Sequence, residues 1–233
     1  MANQRSLMEY LQVGMPNIPS RPPREPRENT ANRAYSYRQI NDITPWAGFD
    51  VPTIQQVYPL LATATIDPNP LPTSPPQTIR SENGFKARVH EYAAPRIRRG
   101  LRSIYQTSQF LKKGPPPNAR PNRAPGDLKP HWKWHTNMQF GSPTEQAEYR
   151  QALSQVNWYM KQNQTRYGFI MTDHELVAIR RLDDNGNLEL SPPIPWDAQG
   201  TVAQPRMTVL LALWYLGMLA SQNQGAGQWK LLH

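Results

Sequence analysis

Gly126-Asp127-Leu128-Lys129-Pro130, taken together with Gln155-Val156-Asn157-Trp158-Tyr159, decides how this chain of 233 residues is understood. Asp127 and Lys129 are two apart, so on a strand their side chains leave the same face. Gln155 and Tyr159 are four apart, hence neighbours on a helix. A carboxylate beside an ammonium suits metal-dependent phosphodiester cleavage. The carboxylate holds a hard cation, while the lysine orients or activates a water and offsets the charge developing on phosphate. The same residues also fit a plain reading, in which Asp127 and Lys129 are a loop pair before Pro130 and Gln155 and Tyr159 lie at a solvent edge.

Downstream of this stretch the pattern is that of a globular unit. Ser142 or Thr144 can cap a helix running to about Asn163, with Tyr149, Leu153, Val156 and Met160 on one stripe. Residues 167–172 read as a strand, Thr172-Asp173-His174 as a turn, and Leu176–Leu182 as a second strand. Asp183-Asp184-Asn185-Gly186-Asn187 is a strong hairpin turn because Asn-Gly tolerates positive φ, and Leu188–Leu190 returns from it. A proline-rich loop, Ser191–Trp196, leads to the apolar helix Met207–Ala220, which is apolar around most of its circumference and should be buried.

Upstream the composition changes. Twenty of the 25 prolines lie in residues 1–130, and 18 Lys/Arg stand against 9 Asp/Glu up to Lys129, compared with 8 against 8 afterwards. The formal charge of +9 therefore belongs to the first part of the chain. Residues 1–78, with segments such as RPPREPRENTANR and NPLPTSPP, offer little apolar surface to offset ordering entropy, and are expected to form a disordered tail. Leu7–Leu11 and Ile54–Leu61 are the short stretches within it that could dock. Glu82–Gln106 reads as a helix, with Phe85, Val89, Tyr92, Ile97, Leu101 and Ile104 at helical spacing and Pro95 splitting or kinking it.

The order of these elements resembles the PD-(D/E)XK nuclease superfamily, specifically its RecB-like branch: an acid-x-Lys strand, a helix carrying Gln-x-x-x-Tyr, then strands. The wider text, GDLKPHWKW, YRQALSQVNWYM and RYGFIMTDHELVAIRRLD, also resembles a group of fungal proteins built on that core. The resemblance covers about residues 80–220. It implies an α/β, restriction-endonuclease-like domain over residues 79–225, a central mixed sheet flanked by helices and incomplete at its front, followed by a C-terminal tail at 226–233. It also implies Mg²⁺ (or Mn²⁺) as cofactor. Position by position, Asp127 matches the metal-binding acid, Lys129 the catalytic lysine, and Gln155 and Tyr159 the auxiliary helix motif. Glu82 or Glu91 matches the acid of the first core helix; with Glu91 in that place, Asp127 and Glu91 form the metal pair. One position departs from the pattern. The superfamily carries a further acid, usually after a proline, before the acid-x-Lys strand. Here Pro121-Asn122 stands near that place, with no Asp or Glu between Glu91 and Asp127. An uncharged amide is a weaker ligand for a hard cation. The expectation thus takes two forms: a Mg²⁺-dependent nuclease, or a non-catalytic nucleic-acid-binding or protein-interaction module derived from that fold.

Arg80 to Arg123 holds eleven Lys/Arg and two acids. A charge run is often only a solvated face, but the density at Arg96, Arg98, Arg99 and Arg102 points to phosphate-backbone contact, through counterion release. His131 and His135 could ligate a metal only if helical, which Pro130 and the alternating aromatics oppose. Trp132 and Trp134 fit packing or base stacking, and Asp173 and Glu175 fit solvated turn acids. The absence of cysteine excludes disulfides, thiolate zinc sites and iron–sulfur clusters. There is no phosphate-cradling Gly-rich loop or nucleophile elbow. With no apolar h-region and a longest apolar run of 14 residues, below the roughly 20 of a membrane span, the expectation is an intracellular protein, nuclear or cytoplasmic, with no membrane partner.

Overall fold

The computed structural model of the chain describes residues 4–24, 33–107 and 122–231, with the side chains of all but 104–107. The hairpin-rich second half builds the sheet. β5 (Tyr167–Met171) pairs antiparallel with β6 (Glu175–Arg181), and β6 with β7 (Leu188–Leu190). Between β6 and β7 the chain reverses at Gly186, whose φ of +85° is the left-handed conformation a glycine adopts freely. A side chain there would also collide with the Gln39 carbonyl.

β4 (Gly126–Leu128) lies parallel to β5. Parallel neighbours need a crossover, and α6 (Pro143–Gln162) supplies it. The helix starts on Ser142, whose side chain caps it in a box with Glu145. Gly126 faces Phe169 across the ladder, and a Cβ there would sit 2.2 Å from the Phe169 ring. β2 (Ile43–Pro45) adds in parallel to β7, completing the order β2-β7-β6-β5-β4, with β8 (Ile194–Pro195) paired to one end of β6. The protein is thus α/β, with a mixed central sheet flanked by helices.

The period-2 alternation of the central strands divides the core in two. Ile170, Val177 and Ile179 face α6, where Leu153, Val156 and Met160 meet them, and Trp134 joins the same cluster from the segment before the helix. Tyr167, Met171, Leu176 and Ala178 face α7 (Val209–Ser221). α7 carries ten buried residues on all sides, so one sheet face cannot cover it. Among the described residues no helix is long and apolar enough to cross a membrane.

What covers α7 overturns the expected tail. Leu7 and Leu11 of α1 (Leu7–Leu11), Phe49, Ile54 of α2 (Val51–Val57) and Leu61 of α3 (Leu60–Thr63) are all buried in the same cluster as α7. Polar ties hold them. Thr208, the N-cap of α7, donates to the Leu11 carbonyl at 2.5 Å, Trp196 Nε1 donates to the Pro16 carbonyl at 2.8 Å, and the Gln12 carboxamide both donates to and accepts from the Arg206 backbone. β1 (Arg5–Ser6) pairs with β3 (Thr65–Ile66). Most of 67–78 lies exposed on the surface of the folded domain, whereas residues 4–24 and 33–66 pack into it. Their few apolar side chains find an apolar partner about 200 residues away in sequence, which local composition cannot register. The expected C-terminal tail is likewise tied down through residue 231. Trp229 O accepts from Arg166 N, Leu231 N donates to Gln164 O, and Leu231 is buried.

The long helix read from Glu82 divides where Pro95 predicts, into α4 (Glu82–Tyr92) and α5 (Ala94–Thr107). Residues 108–121, including Pro115–Pro117 and Pro121 of the expected acid position, lie outside the described residues. Asn122 is exposed. Its amide N–H donates to Asn163 Oδ1 and its side-chain oxygen accepts from Ala124 N.

Candidate functional site

β4 ends on Asp127 and Leu128, and the ladder continues to Lys129, whose N–H donates to the Met171 carbonyl at 3.0 Å. Asp127 and Lys129 therefore point to one side, as their spacing requires. Lys129 Nζ lies 2.9 Å from Asp127 Oδ2 and donates to Gln155 Oε1 at 3.2 Å. Gln155 Nε2 donates in turn to the Tyr159 hydroxyl at 2.8 Å. The four residues drawn from two separate stretches of sequence form one continuous polar chain between β4 and α6. It is a closed chain, with side-chain exposures of 4 % for Lys129 and 7 % for Asp127.

α4 contributes a residue that sequence reasoning missed. Lys86 has its pKa raised, first by its hydrogen bond to Glu82 (2.9 Å) against the opposing effect of burial, and further by the charges of Glu82, Asp127 and Tyr159. It therefore sits on the side of α4 that faces the polar chain. The Glu82–Lys86 spacing of i, i+4 was the available signal.

A Mg²⁺ ion does not fit this arrangement. Asp127 Oδ2 is buried and receives no directed hydrogen bond, which a cation would satisfy, but the Lys129 ammonium already occupies that side. Glu91 is ion-paired with Arg88 at 2.6 Å on α4, and Glu82 with Lys86. Among the described residues, the grouping of three His, Cys, Asp or Glu side chains close enough to hold an ion does not include Asp127. Mg²⁺ demands octahedral oxygen ligation built on one or two carboxylates and its substrate's phosphates. A single acid neutralised by a lysine falls short of that.

The four arginines part company. Arg96 is buried, its guanidinium donating to the Tyr92 and Asn69 carbonyls, and burial lowers its pKa. It cannot reach an external phosphate, so its expected role in nucleic-acid contact is corrected to an internal tie between α5 and the 67–72 segment. Arg98, Arg99 and Arg102 are exposed and line an open concavity of about 700 Å³ with Gln4, Thr65 and Asn69. None of the three is ion-paired among the described residues, although Asp67 lines the same concavity. The helical period explains the division: positions 98, 99 and 102 share a face that 96 does not. No residue of the Asp127 chain lines this concavity.

A second polar cluster sits just past the end of β4. The register Leu128↔Met171 carries the parallel pair onward, so that His131 falls beside the β5–β6 turn. Asp173 is buried there with a side-chain exposure of 0 %, not solvated as its turn position suggested. Its Oδ1 accepts from the His131 backbone N–H at 2.7 Å, and its Oδ2 lies 2.8 Å from His131 Nδ1 and 3.9 Å from His174 Nε2. The two imidazoles are stacked at 3.8 Å with planes 3° apart. This His131–Asp173–His174 group could hold a metal ion, since its donor atoms all lie within 4.8 Å of one another. His135, the partner considered for His131 from sequence, instead begins the short 3₁₀ turn Thr136–Phe140. Glu175, the other turn acid, accepts from Thr136 N and Oγ1. Trp134 is fully buried, stacked on Tyr149 and donating to its carbonyl, so it packs and is not a base-stacking platform.

The chain was compared with protein-family models, with curated proteins and with solved structures, and none of them matches.

Proposed function

We propose that this chain is a nuclease-like module that engages nucleic acid through Arg98, Arg99 and Arg102 and does not itself cut the phosphodiester backbone. The observation that carries the reading is the concavity of about 700 Å³ in which these three exposed arginines stand together without an ion-pair partner among the described residues. Guanidinium groups grip phosphate in a bidentate fashion and release its counterions on binding. The chain of contacts from Asp127 through Lys129 and Gln155 to Tyr159 supports the nuclease-like character. Its closure argues against cutting, because the acid is buried, balanced by Lys129 and without a second carboxylate. Asp127–Lys129 then works as an internal strut that fixes β4 against α6.

A second reading, Mg²⁺- or Mn²⁺-dependent cleavage at Asp127 and Lys129, draws on the buried Asp127 Oδ2, which receives no directed hydrogen bond, and requires Lys129 Nζ to leave its place 2.9 Å away. One experiment separates the two. Duplex and single-stranded DNA and RNA are incubated with the full chain and either metal, and binding is followed by fluorescence anisotropy over a range of salt. The proposed reading expects salt-sensitive binding without cleavage. It also expects the triple variant Arg98→Glu, Arg99→Glu, Arg102→Glu to flatten the log–log salt slope by roughly 2–3, about 0.9 for each phosphate that is no longer neutralised. Cleavage abolished by Asp127→Asn would establish the second reading, and no binding to any of the four substrates would overturn both.

A further inference from the structure

We propose that His131, Asp173 and His174 form a binding site for a divalent transition-metal ion of the Zn²⁺ class, separate from the acid–lysine pair. Three observations carry it. First, the ligand types are right: two imidazole nitrogens and one carboxylate oxygen match borderline metals such as Zn²⁺ and are a poor set for Mg²⁺ or Ca²⁺, which take oxygen. Second, the distances bracket the requirement. An ion with bonds of about 2.1 Å in tetrahedral geometry places its donors roughly 3.4 Å apart. The Asp173 Oδ2 separations of 2.8 Å from His131 Nδ1 and 3.9 Å from His174 Nε2 lie on either side of that value. Third, the carboxylate is built in. Asp173 is buried, and its other oxygen is held by the His131 N–H at 2.7 Å. That is the kind of outer hydrogen bond that orients a metal-binding group.

The stacked imidazoles show what would move. Lone pairs of nitrogen lie in the ring plane, and two parallel rings 3.8 Å apart cannot both aim at one ion. One ring must turn. A near-parallel sandwich is the arrangement that aromatic rings favour least, so little is lost when it opens. His174 is the ring free to turn, being 60 % exposed, whereas His131 at 26 % is wedged edge-on against Trp132 and lies 3.5 Å from Ser20 Oγ. Binding through Nδ1 requires that this nitrogen present its lone pair, which a neutral imidazole does by carrying its proton on Nε2. The ion would join the 131–135 loop to the β5–β6 turn, and the exposed side of His174 leaves a coordination position open to water or to an anionic group.

The test uses the untagged full chain. Titration with Zn²⁺ by calorimetry should give one equivalent. Co²⁺ should give the visible absorption of a tetrahedral or five-coordinate centre. His174→Ala should weaken Zn²⁺ binding at least tenfold, and so should Asp173→Asn, whereas His135→Ala should leave it unchanged. Zn²⁺ should raise the melting temperature of the parent protein and not that of His174→Ala, because a ligand that binds only the folded state stabilises it. Should Asp173→Asn fail to fold, the exposed His174 still decides the matter. Absence of stoichiometric binding, affinity unchanged in His174→Ala, or Mg²⁺ binding as tightly as Zn²⁺ would each overturn the proposal.

Discussion

Two polar clusters lie one after the other along the same short strand, and they are opposites. Asp127–Lys129–Gln155–Tyr159 has its charged pair buried and its Gln155 and Tyr159 half-buried, is charge-balanced, and is linked donor to acceptor along its length. His131–Asp173–His174, two residues further on, has a buried anion and a half-open rim of imidazole. The first contains the residue types that chemistry on phosphate would need, but their charges are spent on each other. The second has no motif, yet its buried carboxylate faces two imidazoles, one of them well exposed. Position along β4 makes the difference. Residues 127 and 129 are covered by α6, whose Gln155 closes the pair, whereas residue 131 has passed the end of the ladder and meets the β5–β6 turn, with Ser20 at its side. Residue type alone is therefore a poor guide to a site, and what covers the residue is a better one.

The strongest way to break the contrast is to unbalance the closed cluster. Lys129→Met leaves Asp127 buried without its cation, and the loss should be about 3–5 kcal/mol in a urea melt. Adding Asp127→Asn in the same chain should restore much of that loss, and a double variant no more stable than Lys129→Met would contradict the strut role. Next comes the core beneath α6. Tyr149, stacked on Trp134, has its pKa pushed up to about 12, by burial first and then by the charge of Glu175. Because the folded value lies above the unfolded one of about 10, this contribution is complete below pH 10 and is lost as pH rises toward 12. It amounts to about 2–3 kcal/mol across that window. Tyr149→Phe should flatten the alkaline limb of the stability curve, and an unchanged limb would show that the hydroxyl is not the group responsible.

Smaller effects sharpen the picture. Tyr159→Phe removes the hydroxyl that closes the chain at Gln155, at a cost of about 1 kcal/mol. Chemical denaturation would register it, and a loss several times larger would mean that Tyr159 holds more than Gln155. The least effect belongs to the open cluster. His174→Ala should change metal-free stability by no more than about 0.5 kcal/mol, as for a surface position. A large change would mean that the imidazole stack itself holds the turn.

Much of the local structure from residue 82 onward was legible in the residues. Ser142 starts α6, the Asn185-Gly186 turn joins β6 to β7, and Pro95 divides α4 from α5, each because capping, positive φ and the missing N–H act within a few residues. The same holds for the shared face of Asp127 and Lys129. What escaped was anything settled by distant packing. Arg96 and Arg98 look alike in sequence, yet one is inside and the other outside. Asp173 looked like a solvated turn acid until the parallel register of β4 brought His131 onto it. Residues 4–24 and 33–66 are poor in apolar side chains, and much of what they bury packs in the cluster around α7, while Ile40 joins the cluster under α6.

The sequence by itself determined most helices and strands from residue 82 onward, the turn that folds the sheet and the shared face of residues 127 and 129, because these follow from backbone sterics and periodicity over short spans. The charge asymmetry between the two halves was equally plain from the residues. Only the tertiary structure decided which charges are spent and which are free: that Lys129 neutralises Asp127, that Arg98, Arg99 and Arg102 face an open concavity, and that two histidines and an aspartate meet. Burial and charge pairing depend on which segments come to lie against one another, and that is set by contacts between residues up to about 200 positions apart.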